Sequence, residues 1–494
     1  MNELFEILHA RREALRSPAA RTVARAKASG RRQWLSVRVA TSARDLLSDF
    51  MGAGTRDAFY WQEPSRGVSL LGVGRLVTIE ALGSKRFGDA SASVKELYRD
   101  LQVFDCDEAV DEVVVDADCA DARGPLLLGG FAFYDKPLDE ESEWRALGAG
   151  RLILPEVGVV VRDDAAFMTR TCSVLPSDAV EDIVDRLCAA VETNEATNSK
   201  VTCAAEPPYD DNVRGPEIQV QADRPHDRYL GQVKAALEAI DAGMFEKVVL
   251  ARSLEVRADE DFDLTSFLGC LREIYPSCTT LAVREDDTWF ISATPERLVS
   301  LHDGEVSTAA VAGSAPRGRS HDEEAQHSAL LLESEKERLE HEVVKQSICE
   351  ALSEACGSLK GPDQPRLLKL EGIQHLETPL RGSLLEKWRG ELGVLDLVGA
   401  LHPTPAVGGA PSATALNWLE QNEALDRGWY AGPVGNLDAN GDGEFRVALR
   451  SALLCGSHAR LFAGAGIVAG SEPERELAET RLKLRALLAP LTEI

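Results

Sequence analysis

Short runs rich in β-branched and aromatic residues recur along this chain, and the helical stretches between them follow no regular alternation. Strand-like runs fall at 34–40, 58–62, 68–71, 75–81, 126–134 and 149–161, with an amphipathic helix before them. Further helices are expected at 91–103 and 178–192, and a polar, Pro/Asn/Asp-rich surface connection follows at 193–226. Beyond it, Tyr229, Val233, Leu237, Ile240 and Met244 recur at helical spacing and lead into a strand at 247–252. More strands are expected at 281–284, 289–293, 298–302, 430–438, 443–454 and 460–468. A doubly wound parallel sheet would need a helix after nearly every strand. This order points to an α+β fold instead.

Length alone allows two to four average domains in 494 residues. Hydrophobic residues make up 44% of the chain, enough for a real core, yet no apolar run approaches the roughly 18 residues of a membrane span. The N-terminal stretch alternates charge with apolar residues and lacks a signal-peptide core, so a cytoplasmic location is expected. Ten scattered cysteines (106, 119, 172, 188, 203, 270, 278, 349, 356 and 455) form no C-x-x-C pair, which suits reduced thiols rather than zinc or a disulfide framework. A net charge of −27 argues against nucleic acid and anionic membranes as partners. It also means that any anionic ligand needs a locally positive site.

An unbroken helix, without Pro or Gly, is expected from about 322 to 355. On it Glu337 and Glu340 lie three apart and share a face. Glu476 and Glu479 repeat the spacing near the C-terminus. A single such pair is usually a solvated helix face. Two pairs on two helices could hold one hard divalent cation such as Mg2+, which takes oxygen ligands and keeps waters for a substrate to displace. Two other patterns mislead. Asp438-x-Asn440-x-Asp442-Gly443 imitates half a calcium loop, but Leu449 stands where the bidentate Glu belongs, so a hairpin turn is expected. Gly464-Ala-Gly466-Ile-Val-Ala469 imitates a dinucleotide fingerprint, yet no second strand with a ribose-binding acid follows.

The remaining segments are Lys247-Val-Val-Leu-Ala-Arg252, Ala293-Thr-Pro-Glu296-Arg297, Ala312-Gly-Ser-Ala-Pro-Arg-Gly318 and Ser334-Glu-Lys-Glu337-Arg-Leu-Glu340-His341. They continue through Leu401-His-Pro-Thr-Pro-Ala406, Tyr430-Ala-Gly-Pro-Val-Gly435, Gly443-Glu-Phe-Arg-Val-Ala-Leu-Arg450, Phe462-Ala-Gly-Ala-Gly-Ile-Val468 and Glu476-Leu-Ala-Glu479-Thr-x-x-Lys483. In this order they resemble the chorismate-utilising enzymes and, within them, the isochorismate synthases. The motifs span about 229–486, while the N-terminal half matches faintly through Phe59-Tyr-Trp-Gln-Glu63 and Leu154-Pro-Glu156. The resemblance implies one α+β unit, a large two-layered antiparallel β-sheet core flanked by helices. A sheet-rich half (1–225) would pack into the same unit as a chorismate-binding catalytic region (226–490).

Carried over by position, the resemblance makes Glu340 and Glu479 direct Mg2+ ligands, with Glu337 and Glu476 beside them. Lys247 matches the general base and Glu296 the general acid. Arg450, Tyr430 and Lys483 match residues that hold the substrate carboxylates, Gly313, Ser314, Gly464 and Gly466 match contacts to the same groups, and His402 matches a histidine lining the ring pocket. The expected reaction adds water at C2 of chorismate and expels the C4 hydroxyl, so the base must be uncharged and the acid protonated when they act. Aminodeoxychorismate synthases carry a nucleophilic lysine in a Pro-Ile-Lys-Gly-Thr loop, which is absent from Ala310-Val-Ala312-Gly-Ser314. Anthranilate synthases use ammonia and generally lack a lysine at the position of Lys247. Water is therefore the expected nucleophile. Salicylate synthase, which goes on to eliminate pyruvate, is the alternative, and a chorismate- or metal-binding relative without turnover the remote one. The resemblance also implies a monomer whose product feeds menaquinone or siderophore synthesis.

Overall fold

The computed structural model describes residues 2–54, 57–106, 123–189 and 218–492. Cys119, Cys203 and most of the polar connection at 193–226 lie outside the described residues. The described strands form a 13-stranded and a nine-stranded sheet. Within them only Gln33–Ser42 and Leu101–Asp105 pair in parallel; every other ladder is antiparallel. The expected α+β architecture with a large antiparallel sheet core is the one observed.

Period-two alternation sorts the strand side chains into two buried layers. In Ala58–Glu63, Phe59 and Trp61 point into the core between the sheets, while Ala58 and Tyr60 point to a second core under the outer helices. Thr288–Thr294 does the same, with Phe290 inward and Trp289 and Ile291 outward. Helices Asn2–Ala10, Arg12–Ser29, Leu264–Ile274 and Pro473–Thr492 cover that outer layer through Phe5, Val23, Leu268 and Leu487. Both faces are dry, which is why such strands read as continuous apolar runs. No sheet belongs to one half of the chain. Ala58–Glu63 pairs with Thr279–Glu285, and Leu127–Phe131 with Pro433–Leu437. Among the described residues, no helix is long and apolar enough to cross a membrane.

Several expected elements differ from those observed. The helix expected at 322–355 breaks at Ser334, whose backbone is extended. Its hydroxyl accepts a hydrogen bond from Glu337 N at 3.3 Å and caps a new helix, Glu335–Ala351, after His321–Glu333. The helix expected at 91–103 runs Arg86–Arg99 and gives way to the edge strand Leu101–Asp105. The glycine-rich loop at 312–318 is mostly the end of the strand Glu305–Pro316, with a register shift across Gly313 at φ +77°. The turn at 438–443 is a hairpin, as expected, with the Asp438 carboxylate accepting from Asn440 N and Asp442 N.

The single runs expected at 149–161 and 443–454 each split into two strands in different sheets. Gly150–Leu154 lies in the nine-stranded sheet and Val157–Arg162 in the other, separated by Pro155, which has no N–H for a ladder. Gly443–Val447 and Ser451–Cys455 are separated by a crossing that contains Arg450, at φ +46°. A third crossing, Pro295-Glu296, joins Thr288–Thr294 to Arg297–His302. The last two are stitched together, with Val447 N donating to Glu296 O at 3.1 Å and Ala293 N to Arg450 O at 3.1 Å. The fold thus sets two polar side chains side by side where the sheets exchange strands.

Candidate active site

The floor of the site is the pairing of Lys247–Arg257 with His458–Val468. Val249 opposes Gly466 and Ala251 opposes Gly464, so two side chains are missing on the face that carries Lys247. A Cβ at Gly466 would overlap the Glu340 carboxylate and reach 3.1 Å from Lys247 Cε, and one at Gly464 would sit 3.0 Å from the Tyr430 hydroxyl. The glycines make room for the cavity. Gly466→Ala is expected to displace the Glu340 carboxylate and to break its ion pair with Lys247, which a structure of the variant checks.

Around this floor the cavity is lined by Glu296, Gly313, Ser314, Glu340, Tyr430, Arg450, Gly464, Gly466, Glu479 and Lys483. Helix Glu335–Ala351 presents Glu337 and Glu340, and Pro473–Thr492 presents Glu476, Glu479 and Lys483. Lysines meet all four glutamates. Lys247, with no exposed side-chain surface, lies 2.9 Å from Glu340 Oε1 as an ion pair rather than an aligned hydrogen bond. Lys483 Nζ is 2.7 Å from Glu479 and donates to Gly464 O at 2.9 Å. Lys336 Nζ lies between the pairs, 2.9 Å from Glu476 and 3.2 Å from Glu337. The second oxygen of Glu337 accepts from Ser314 N at 2.9 Å.

The environment splits the acids. Burial raises Glu296 to about 7, only partly offset by Lys247 and Lys483. Burial and the Glu340 charge raise Glu337, and burial and the Glu479 charge raise Glu476. Burial also penalises ionised Glu479, but Lys483 outweighs it and leaves this carboxyl below its ordinary value. Arg450 is 6% exposed, and Nη1 and Nη2 are both buried without a hydrogen-bond acceptor. A guanidinium so placed on a cavity wall is chemically suited to an anionic ligand.

His402 does not line the cavity. Its Nε2 lies 3.0 Å from Phe133 O, and its ring packs edge-on against Phe87 and Phe133. Desolvation, with Arg86 nearby, pushes it down to about 3, so it is a neutral, half-buried histidine. His375 lines the cavity instead, from the strand Ile373–Ser383, with Nδ1 3.0 Å from Ser314 Oγ. Burial, together with Lys483 and Arg450, holds it well below the ordinary histidine value. Neither His375 nor Lys336 is anticipated by the sequence reading. His375 stands in the mixed run Ile373-Gln-His-Leu-Glu-Thr-Pro-Leu380 with no local signal, and the available signal for Lys336 is its place next to Glu337. A wider open groove lined by Ser91, Lys95, Asp303, Arg389 and Glu391 holds none of the candidate residues.

Among the described residues, no three His, Cys, Asp or Glu side chains converge as a ready-made metal cage. The donor set nevertheless suits a hard cation. It is all carboxylate, and like charges within each pair disfavour ionisation, a penalty that a divalent ion would relieve.

A family model for chorismate binding enzymes matches residues 21–492, and the chain belongs to that family. Among curated relatives it is 31% identical to isochorismate synthase MenF of Bacillus subtilis over 445 residues, covering 88% of each chain. It is 34% identical to the salicylate biosynthesis isochorismate synthase of Pseudomonas aeruginosa over 501 residues, covering 99% of this chain and 96% of the relative. Of solved structures, MenF from Escherichia coli aligns with a TM-score of 0.70 at 23% identity, covering 92% of this chain and 94% of that one, and shares the fold. DhbC from Bacillus anthracis aligns with a TM-score of 0.68 at 26% identity, covering 90% and 99%.

Proposed function

We propose that this protein is an isochorismate synthase, which converts chorismate to isochorismate by adding water at C2 and removing the C4 hydroxyl. The observation that carries the reading is the Arg450 guanidinium, whose Nη1 and Nη2 lack a hydrogen-bond acceptor, lining the same cavity as Lys483. In a chain of net charge −27, a cationic corner at a closed cavity is what a dicarboxylate such as chorismate requires. Arg450 and Lys483 take its carboxylates, with the Tyr430 hydroxyl and the Gly313–Ser314 bulge beside them. Lys247, once it has lost its own proton and with it the ion pair to Glu340, removes a proton from the attacking water. Glu296, kept protonated by burial, donates a proton to the departing hydroxyl. The small side chain of Ala312 leaves no amine at the loop where aminodeoxychorismate synthases carry their nucleophilic lysine.

Mg2+ is the cofactor that suits the donor set, with Glu340 and Glu479 as direct ligands and Glu337 and Glu476 beside them. Bound there, the ion supplies neutralisation and orientation of the substrate carboxylate. Lys336, Lys247 and Lys483 pair with Glu476, Glu340 and Glu479 of the same set. Incubation with chorismate and Mg2+, followed by chromatography, tests the reading. Isochorismate as the accumulating product supports it; salicylate with pyruvate would assign a lyase, and no consumption of chorismate would overturn it.

A further inference from the structure

Behind the cavity wall lies a buried ion pair that no step of the reaction uses. Glu423 and Arg427 lie four residues apart where the chain leaves the helix Ser412–Asn422, each side chain 1% exposed. Arg427 Nε and Nη2 each donate to one oxygen of Glu423 at 2.6 Å, a bidentate pair. Its remaining hydrogen bonds go to backbone, from Nη1 to Val407 O at 2.9 Å and from Nη2 to Val249 O at 2.7 Å. Glu423 Oε2 in turn accepts from Ala251 N at 2.8 Å.

These contacts fill a gap in the sheet. Along its outer edge, the Lys247–Arg257 strand pairs with Gly409–Ala410 at Lys247 and Val248, and with Gln219–Ala222 from Leu254 onward. Between the two partners, Val249 O and Ala251 N face no strand. Arg427 donates to the first and Glu423 accepts from the second, the pattern a neighbouring strand would present. The pair also reaches the other cavity walls. Val249 and Val407 line the cavity, and Tyr430 N donates to Arg427 O at 2.8 Å.

We infer that Glu423 and Arg427 are positioning residues, which hold the strand bearing Lys247 in fixed relation to Val407 and Tyr430. This rests on the reading of the cavity as the site of chorismate turnover. Neither residue touches that cavity, so a purely structural pair would change stability and leave the turnover of folded protein alone.

The test is the double variant Glu423→Leu/Arg427→Met. Apolar replacement of a whole buried ion pair generally preserves folding, whereas removing one partner strands a charge. Its melting temperature and circular dichroism establish the folded fraction, and kcat and KM are then measured well below melting. The expected result is a fall of about tenfold or more in kcat with KM changed by less than about threefold, since misplacement by about 1 Å costs rate rather than affinity. Hydrogen exchange at the Ala251 amide should rise at least about tenfold. Arg427→Lys keeps the charge but cannot bridge two carbonyls and a carboxylate, and should lie between wild type and the double variant. A folded double variant with wild-type kcat and Ala251 exchange overturns the inference. If the double variant does not fold, Arg427→Lys at wild-type kcat overturns it equally, and failure of both to fold makes the pair a folding element and overturns it too. Absence of chorismate turnover in the wild type would instead sink the proposed function, while the Ala251 exchange would still report on the clamp.

Discussion

Replacing Lys247 with alanine is expected to lower kcat by about 10²–10⁴, the range of a positioned general base, and to leave chorismate binding at saturating Mg2+ intact. The reason is geometric. Lys247 rises from the floor strand with no exposed side-chain surface, whereas the groups assigned to the substrate carboxylates, Arg450 and Lys483, come from other elements. Calorimetric titration of the variant with chorismate, at saturating Mg2+, separates the two effects. A loss of binding comparable to the loss of rate would make Lys247 a ligand-binding residue and contradict its assignment as the base. Lys247→Ala also releases Glu340 from its ion pair, so the titration should be repeated at several metal concentrations.

Glu296→Gln is the second large effect, with an expected loss of about 10²–10³ in kcat/KM. Its pH dependence is more diagnostic than its size. Burial raises this carboxyl to about 7, so it keeps its proton where an ordinary glutamate is ionised. If Glu296 is the acid, its contribution to kcat/KM is present below that value and is lost as pH rises through about 7. The glutamine variant has no proton to lose there, and its residual activity should lack that decline. An unchanged alkaline limb in Glu296→Gln would assign the titration to another group and remove Glu296 as the acid.

Much of this was legible in the order of residues, and the failures have definite causes. The two Glu-x-x-Glu spacings showed a shared helix face because that relation is local, and helices do carry both pairs. The sheet crossings were hidden, since a strand buried on both faces stays apolar as it passes from one sheet to the other. Thus 443–454 read as one run although Arg450 turns the chain between sheets. Ser334 was legible as a cap in principle, but the acidic and apolar periodicity continued across it and suggested one helix. His402 stands out because 401–406 is conspicuous in sequence, while His375 gains its position on the cavity only from the pairing of Ile373–Ser383 with Glu305–Pro316. No local pattern shows such a pairing.

The interleaving of the two halves bears on how the protein is made. The floor of the site joins Lys247 to Val468, roughly 220 residues apart, and Ala58–Glu63 waits for Thr279–Glu285 at a similar separation. Contacts this distant in sequence close slowly. As the ribosome delivers the chain, its early strands emerge with unpaired edges and no partner yet synthesised. The helix bearing Glu476, Glu479 and Lys483 comes last of the described elements, so the nascent chain acquires its chemistry only after all the others have been made. Chaperone dependence during synthesis, and aggregation of chains truncated before 458, are the expected cellular signature.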